Sequence, residues 1–156
     1  MTPRLPRFRS LTERDCRALL RRHHGGRLAF TLRDIVDIEP ISYVLEGHWL
    51  YARTAPGTKL AKLKHNPFVA FEVDEIAGPF DWRSVVAHGT AYFLTTGTLN
   101  DLAYDRAVAL LRSIDRRALT HEDLAPERTT LFRIHIDTMT GRAASTAPIT
   151  KRRRHA

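Results

Sequence analysis

Apolar positions along the chain switch between a helical and a strand period. Thr12 places a hydroxyl at a candidate N-cap with Asp15 three residues on, and Cys16, Leu19 and Leu20 follow as an apolar stripe, which predicts a first helix ended by Gly25 and Gly26. From Arg27 the texture becomes RLAFTL, ISYVLEG and HWLYART, short runs rich in aromatic and β-branched residues that predict three strands. Gly47 between the last two predicts a tight hairpin turn, because glycine takes positive φ without steric cost. Pro56-Gly57 breaks the pattern, and Leu60, Leu63 and Lys64 then recur at helical spacing until Asn66-Pro67 stops a short helix. Residues 68–74, FVAFEVD, alternate as a strand, and the loop IAGPFD leads to a long strand from Trp82 to near Thr95. Between Asn100 and Ile114, the residues Leu102, Ala103, Ala107, Leu110, Leu111 and Ile114 share one helical face. A last strand, LFRIHID, precedes an expected turn at TGR and a basic end.

Helix, three strands, short helix, two strands, long helix and strand do not alternate as a doubly wound parallel sheet requires. The order predicts a mainly β (α+β) chain, an antiparallel barrel with peripheral helices. At 156 residues the chain can bury one core. The expected organisation is one domain over 1–146 and a basic, disordered tail over 147–156.

Charge and composition narrow the chemistry only a little. The formal charge of +8 suits an anionic partner, but much of the excess lies in Arg4, Arg7 and Arg9 at one end and Lys151 to Arg154 at the other, where a solvated tail is expected. No helix-turn-helix, zinc-finger or aromatic RNA-binding signature accompanies it, so nucleic acid is not the expected partner. No apolar run reaches the roughly 20 residues of a membrane helix, and MTPRLPRFRS lacks a signal-peptide core, which sets a cytoplasmic, membrane-free expectation. The single cysteine, Cys16, reads as a small apolar helix residue. No metal-ligand spacing appears, so no metal site is expected. His65 and His88 are candidate acid/base groups that lack a recognisable orienting carboxylate, and His23-His24 read as cations near a helix C-terminus.

The chemistry concentrates in LYARTAPGTKLAKLKHNP. A strand ends at Arg53 and Thr54, a Pro-Gly loop follows, and Thr58 and Lys59 open the next helix. Exposed backbone N–H groups, two hydroxyls and two cations make this a candidate phosphate cradle. A plain strand-to-helix turn with Thr58 as N-cap is the competing reading of the same residues.

The order GRLAF, PISYVLEG, WLYARTAPGTKLAKLKHNPFVAFEVD, WRSVVAHGTA and a closing strand with TGR resembles the FMN-binding split β-barrels related to pyridoxamine 5′-phosphate oxidase, in particular the short nitroimidazole-resistance-like branch. The resemblance covers most of the chain. It implies a Greek-key split barrel working as a homodimer, with two flavin sites between subunits. It places the FMN phosphate and ribityl chain on Arg53, Thr54, Thr58 and Lys59, the isoalloxazine edge along Ile41, Ser42, Tyr43 and Val44, and further contacts on Trp82, Ser84 and Val85. Arg142 would contribute from the other subunit. The Arg-rich closing strand of the true pyridoxamine 5′-phosphate oxidases has no counterpart in TAPITKRRRHA, so vitamin B6 oxidation is not expected.

The function implied is a flavin-dependent oxidoreductase acting on a small molecule, which needs no protein nucleophile and fits the lack of a Ser-His-Asp or HExxH pattern. The residues identify no catalytic side chain. A non-catalytic flavin carrier or sensor, and a related barrel using deazaflavin or haem, are the alternatives that this reading leaves open.

Overall fold

The computed structural model describes residues 4–57, 59–97 and 101–146, with the backbone alone at Lys59 and Ala61. The tail over 147–156 lies outside the described residues. Seven strands are β1 (Arg7–Ser10), β2 (Gly25–Leu32), β3 (Ile35–Glu46), β4 (Trp49–Thr54), β5 (Phe68–Gly78), β6 (Asp81–Leu94) and β7 (Thr130–Ser145). Two α-helices are α1 (Glu13–Arg22) and α2 (Asp101–Ile114), and a 3-10 helix spans Lys59–Lys64. The sheet order is β1-β7-β4-β3-β2-β5-β6, every ladder is antiparallel, and β6 pairs again with β7. That last pairing closes six strands into a barrel and leaves β1 on the far stretch of β7.

The period of two along each strand sends one set of side chains inward. Leu28, Phe30, Tyr43, Leu50, Phe71, Val85, Phe132 and Ile134 fill the lumen, and Cys16, Leu19 and Leu20 of α1 belong to the same cluster. Each such side chain contributes about 1.5–3 kcal/mol by leaving water. Tyr43 donates its hydroxyl to the Leu20 carbonyl at 2.6 Å, tying the barrel to α1. A second cluster sits outside the wall, where Ala107 and Leu111 of α2 cover Tyr51, Leu94 and Leu131. The long strand β6 follows the barrel's curvature with a register shift between His88 and Gly89 in its ladder with β7.

The first helix begins as expected, with Thr12 at the N-cap accepting from the Asp15 N–H at 3.2 Å. It does not run to the glycine pair. His23 is its C-cap, and Gly25 and Gly26 are the first residues of β2. A Cβ on Gly26 would overlap the Phe71 ring and the Glu72 carbonyl, so this glycine serves close strand packing, not a helix stop.

The TGR turn is corrected in the same way. Gly141 and Arg142 lie inside β7, where Gly141 faces Val85 in register and a Cβ would meet Cys16 Sγ and Leu11. The expected helix at Lys59 is a single short 3-10 segment, and the N-terminal basic stretch contributes β1, paired with β7 from Arg7↔Ser145 to Ser10↔Arg142. Gly47 has φ +60 in the β3–β4 hairpin, as its position implied.

Candidate functional site

Strand β4 delivers two adjacent side chains to two different places. Leu50, Ala52 and Thr54 point to the barrel side, whereas Trp49, Tyr51 and Arg53 point outward. Thr54 and the following Ala55-Pro56-Gly57 turn line a small cavity of about 100 Å³ together with Lys64, Phe93 and Thr130. Gly57 has φ +73, the left-handed conformation that brings the chain round. The Lys64 ammonium stands 5.2 Å from the centre of the Phe93 ring. Backbone amides, hydroxyl-bearing strand ends and a cation around a space of this size suit a small anion such as a phosphate group. Thr58 and the Lys59 side chain, which the sequence places at the heart of this cradle, lie outside the described residues.

Arg53 is not in that cavity. Strand alternation turns it outward, where its guanidinium pairs with Asp123, Nη1 to Oδ2 at 2.5 Å and Nη2 to Oδ1 at 3.1 Å. Both side chains are largely buried, at 12% and 2% exposure. Asp123 also accepts the backbone N–H of Leu119 at 2.7 Å and of Ala125 at 2.9 Å. These bonds, led by the Arg53 guanidinium, hold its carboxyl well below the usual carboxylate range. The connector between α2 and β7 is thereby fixed over the outer face of β4, and Leu119 within it takes φ +60.

Between α2, this connector and the β3–β4 face lies a cleft of about 310 Å³. Ser42 and Arg53 form its floor, Leu111 and Ile114 one apolar wall, and Asp115 and Arg128 its polar rim. Arg128 is exposed, and its guanidinium has no hydrogen-bond or ion-pair partner among the described residues. The sequence pointed to neither Asp123 nor Arg128. The available signal was local, an Asp followed two residues later by a turn N–H, as in Asx turns.

The expected β3 contacts divide. Ser42 is exposed and reaches the cleft, but Ile41 and Tyr43 point into the core and Val44 is buried. The last three have side chains committed to packing, so only their backbone remains for a ligand. Val85 is likewise fully buried in the barrel. Trp82 and Ser84 are half-buried on β6, with the Trp82 ring 6.4 Å from that of Phe8. Ser84 stands opposite Arg142 of β7. Two strands, β2 and β5, separate this group from Ser42 in the sheet order, so one chain does not bring the two sets together.

His65 and His88 are exposed, Cys16 is buried, and burial pushes its thiol upward. Among the described residues no three His, Cys, Asp or Glu side chains gather as a metal site, and no helix is long and apolar enough to cross a membrane.

Comparison with known proteins agrees with this architecture. The solved structure of an FAD-binding protein from Mesorhizobium loti superposes with a TM-score of 0.72 at 28% identity, over 88% of this chain and 98% of that one. A protein named for 5-nitroimidazole antibiotic resistance, from Bacteroides thetaiotaomicron VPI-5482, shares the fold with a TM-score of 0.63 at 17% identity, over 89% and 88% of the two chains. An uncharacterized protein of Rhizobium meliloti (strain 1021) is 32% identical over 81 residues, which is 52% of this chain and about half, 54%, of that relative's length. The family described as pyridoxamine 5′-phosphate oxidase matches residues 12–143, from the N-cap of α1 to near the end of β7. The chain belongs to the pyridoxamine 5′-phosphate oxidase family, in its split-barrel form.

Proposed function

We propose that this protein binds a flavin nucleotide, holding the flavin phosphate at the turn that follows β4, and works as a homodimeric flavin-dependent oxidoreductase on a small molecule. The observation that carries this reading is the cavity formed by Thr54, the Pro56-Gly57 turn and Lys64, placed at the end of a barrel strand. Flavin binding by the Mesorhizobium loti protein at 28% identity supports the same cofactor class. FMN is the form that the family resemblance favours, and FAD is the form that this neighbour's description favours.

In this reading Thr54, Thr58 and Lys59 hold the phosphate, and Ser42 with the backbone of β3 borders the ring system. The flavin, when bound, supplies the hydride or electron transfer, while the chain binds, orients and shields. Arg53 acts from behind, because its charge is spent on Asp123, and it serves to fix the wall of the site.

Dimerisation rests on a separate observation. Val36, Ile38 and Phe68 on β3 and β5 are 63–71% exposed, and Ala29 of β2, the strand between them, pairs with Ile38 on one side and Ala70 on the other. An apolar sheet face of this kind is costly to leave in water and is suited to a second copy of the same chain. The partner's Ser84 and Arg142 would then reach a site that one chain leaves open.

Titration of the purified protein with FMN and FAD tests the reading. Binding should give a yellow protein and a rise in melting temperature, with Lys59→Ala weakening affinity by about 1.5–3 kcal/mol. A protein that stays colourless and does not shift its melting temperature would sink it. Reduction of the bound flavin by NADH, NADPH or a reduced deazaflavin then separates an oxidoreductase from a carrier.

A further inference from the structure

We propose that the outer face of β4, β7 and β6, at the end of β4 away from the flavin-phosphate turn, is a second binding site, which takes a planar monocarboxylate at Arg133 and Tyr92. The inference goes beyond the flavin reading above and does not depend on it. Trp49 and Thr54 are the two ends of β4, about 17 Å apart along the strand.

The first support is an arginine without an acid. Among the described residues the half-buried arginines are Arg17, Arg27, Arg53 and Arg133. The first three rest on carboxylates, Glu13 at 3.4 Å, Glu72 at 2.8 Å and Asp123 at 2.5 Å. Arg133 has no hydrogen-bond or ion-pair partner among the described residues, and its guanidinium lies on the Trp49 ring, 3.7 Å from the ring centre. Its Nε is sealed from solvent without an acceptor, whereas its two Nη groups are not sealed. A charged donor taken out of water without a partner is costly. Held flat against an indole, this guanidinium keeps its end-on pair of N–H donors in the geometry that a carboxylate accepts.

The second support is what surrounds it. Tyr92 stands opposite Arg133 in the β6–β7 ladder, is 49% exposed, and meets Trp49 edge to face at 5.9 Å. Its open ring beside the guanidinium gives a flat ligand a surface to stack on. His135, on the same face of β7, bonds through Nδ1 to Asp137 at 2.7 Å, and Thr90 donates to that carboxylate at 3.0 Å. His48, 6.3 Å from His135, accepts from Arg17 at 2.7 Å. These groups are satisfied within the protein, so the cation left open on this face, among the described residues, is Arg133. One guanidinium matches one carboxylate, and the Asp137 charge on the same face repels a dianion.

Benzoate is the probe, with benzamide as its uncharged counterpart and phenyl phosphate as the dianion. Calorimetry on the full chain should show saturable benzoate binding, with affinities in the presence and absence of FMN that agree within about twofold. Benzamide should bind at least about tenfold more weakly, and phenyl phosphate no more tightly than benzoate. Trp49 and Trp82 are the two tryptophans of the chain, so in a Trp82→Phe protein the fluorescence of Trp49 alone reports the contact. Arg133→Gln should weaken benzoate about tenfold or more, and Tyr92→Ala about threefold or more, while the exposed Arg128→Gln stays within about twofold. Arg133→Lys keeps the charge and the stem over Trp49, guards against a Gln variant that does not fold, and should still lose at least about threefold because it lacks the paired donors. No saturable benzoate binding, benzamide as tight as benzoate, phenyl phosphate tighter than benzoate, an Arg133→Gln protein with wild-type affinity, or displacement of benzoate by FMN overturns the site. Each of these outcomes leaves the flavin reading to its own titration.

Discussion

Asp123 holds Arg53 across 70 residues of chain, in a wall where both groups are mostly out of water. The pair joins the connector to β4 and thereby shapes the cleft. Because the Asp123 carboxyl sits below its usual range in the folded protein, the acid is a source of stability with a defined pH dependence. The unfolded carboxyl titrates near about 3.9, so the contribution is complete above that pH and is lost as pH falls below it toward the folded value. Asp123→Asn should therefore melt at a lower temperature than wild type at neutral pH, and the gap should narrow below about pH 4. Melting curves from neutral to acid pH provide the check. A gap that stays constant over the whole range would show that the ionised pair does not set the difference.

Gly26 and Phe71 are in contact where β2 passes β5, with no room for a side chain on the glycine. Its Cβ would also meet the Glu72 carbonyl, which is backbone and cannot swing away as a side chain can. Gly26→Ala should cost about 1–3 kcal/mol, the usual range for overpacking a filled core. Gly25→Ala, next to it with open space around the added carbon, is the control and should change stability by less than about 1 kcal/mol. Denaturant unfolding of both variants distinguishes steric overlap from a general need for glycine at the strand start.

These glycines also show where the sequence was legible. The six barrel strands in chain order, the α1 N-cap, the Gly47 turn and the Ala107–Leu111 part of the α2 face follow from period and capping chemistry, which are local properties, whereas Leu102, placed on the same face, is exposed. Gly26 and Gly141 were read as punctuation because a glycine that ends an element and one that admits a neighbour look alike in one dimension. The turn at Pro56-Gly57 was visible for the same local reason that the helix cap was. The Arg53–Asp123 pair was not, since nothing near either residue announces a partner 70 positions away, and without it Arg53 reads as one more phosphate ligand. Strand alternation alone would have warned that Arg53 and Thr54 cannot serve one anion with both side chains.

Arg33 and Asp34 turn the chain from β2 to β3 with φ +51 and +64, in a two-residue hairpin closed by Leu32 and Ile35. Two positive φ values in succession are the requirement of a type I′ turn, and side chains other than asparagine and aspartate, here that of Arg33, cost about 1 kcal/mol in that conformation. Replacing the pair by Asn-Gly keeps the backbone and relieves the strain. The double variant should gain about 1 kcal/mol and melt about 2–4 °C higher, with unchanged flavin affinity. A fall in melting temperature would mean that the two side chains make compensating contacts across the turn.

Ile38 lies on the exposed face of β3 opposite Ala29 of β2, at 63% exposure. In an isolated chain, Ile38→Glu would exchange one solvated side chain for another and change stability by no more than about 0.5 kcal/mol. In the proposed dimer the same substitution puts a carboxylate into an apolar interface, where it faces its own copy or the partner's apolar strand, and each unpaired charge costs several kcal/mol. The variant should run as a monomer when its mass is measured by light scattering after size exclusion, while wild type runs as a dimer. In the proposed arrangement flavin affinity should fall in parallel, because there the Ser84–Arg142 group, two strands removed from Ser42 within one chain, comes from the second copy. A wild type that is already monomeric and binds flavin tightly would overturn this arrangement. An Ile38→Glu protein that stays dimeric would move the interface to another face of the barrel.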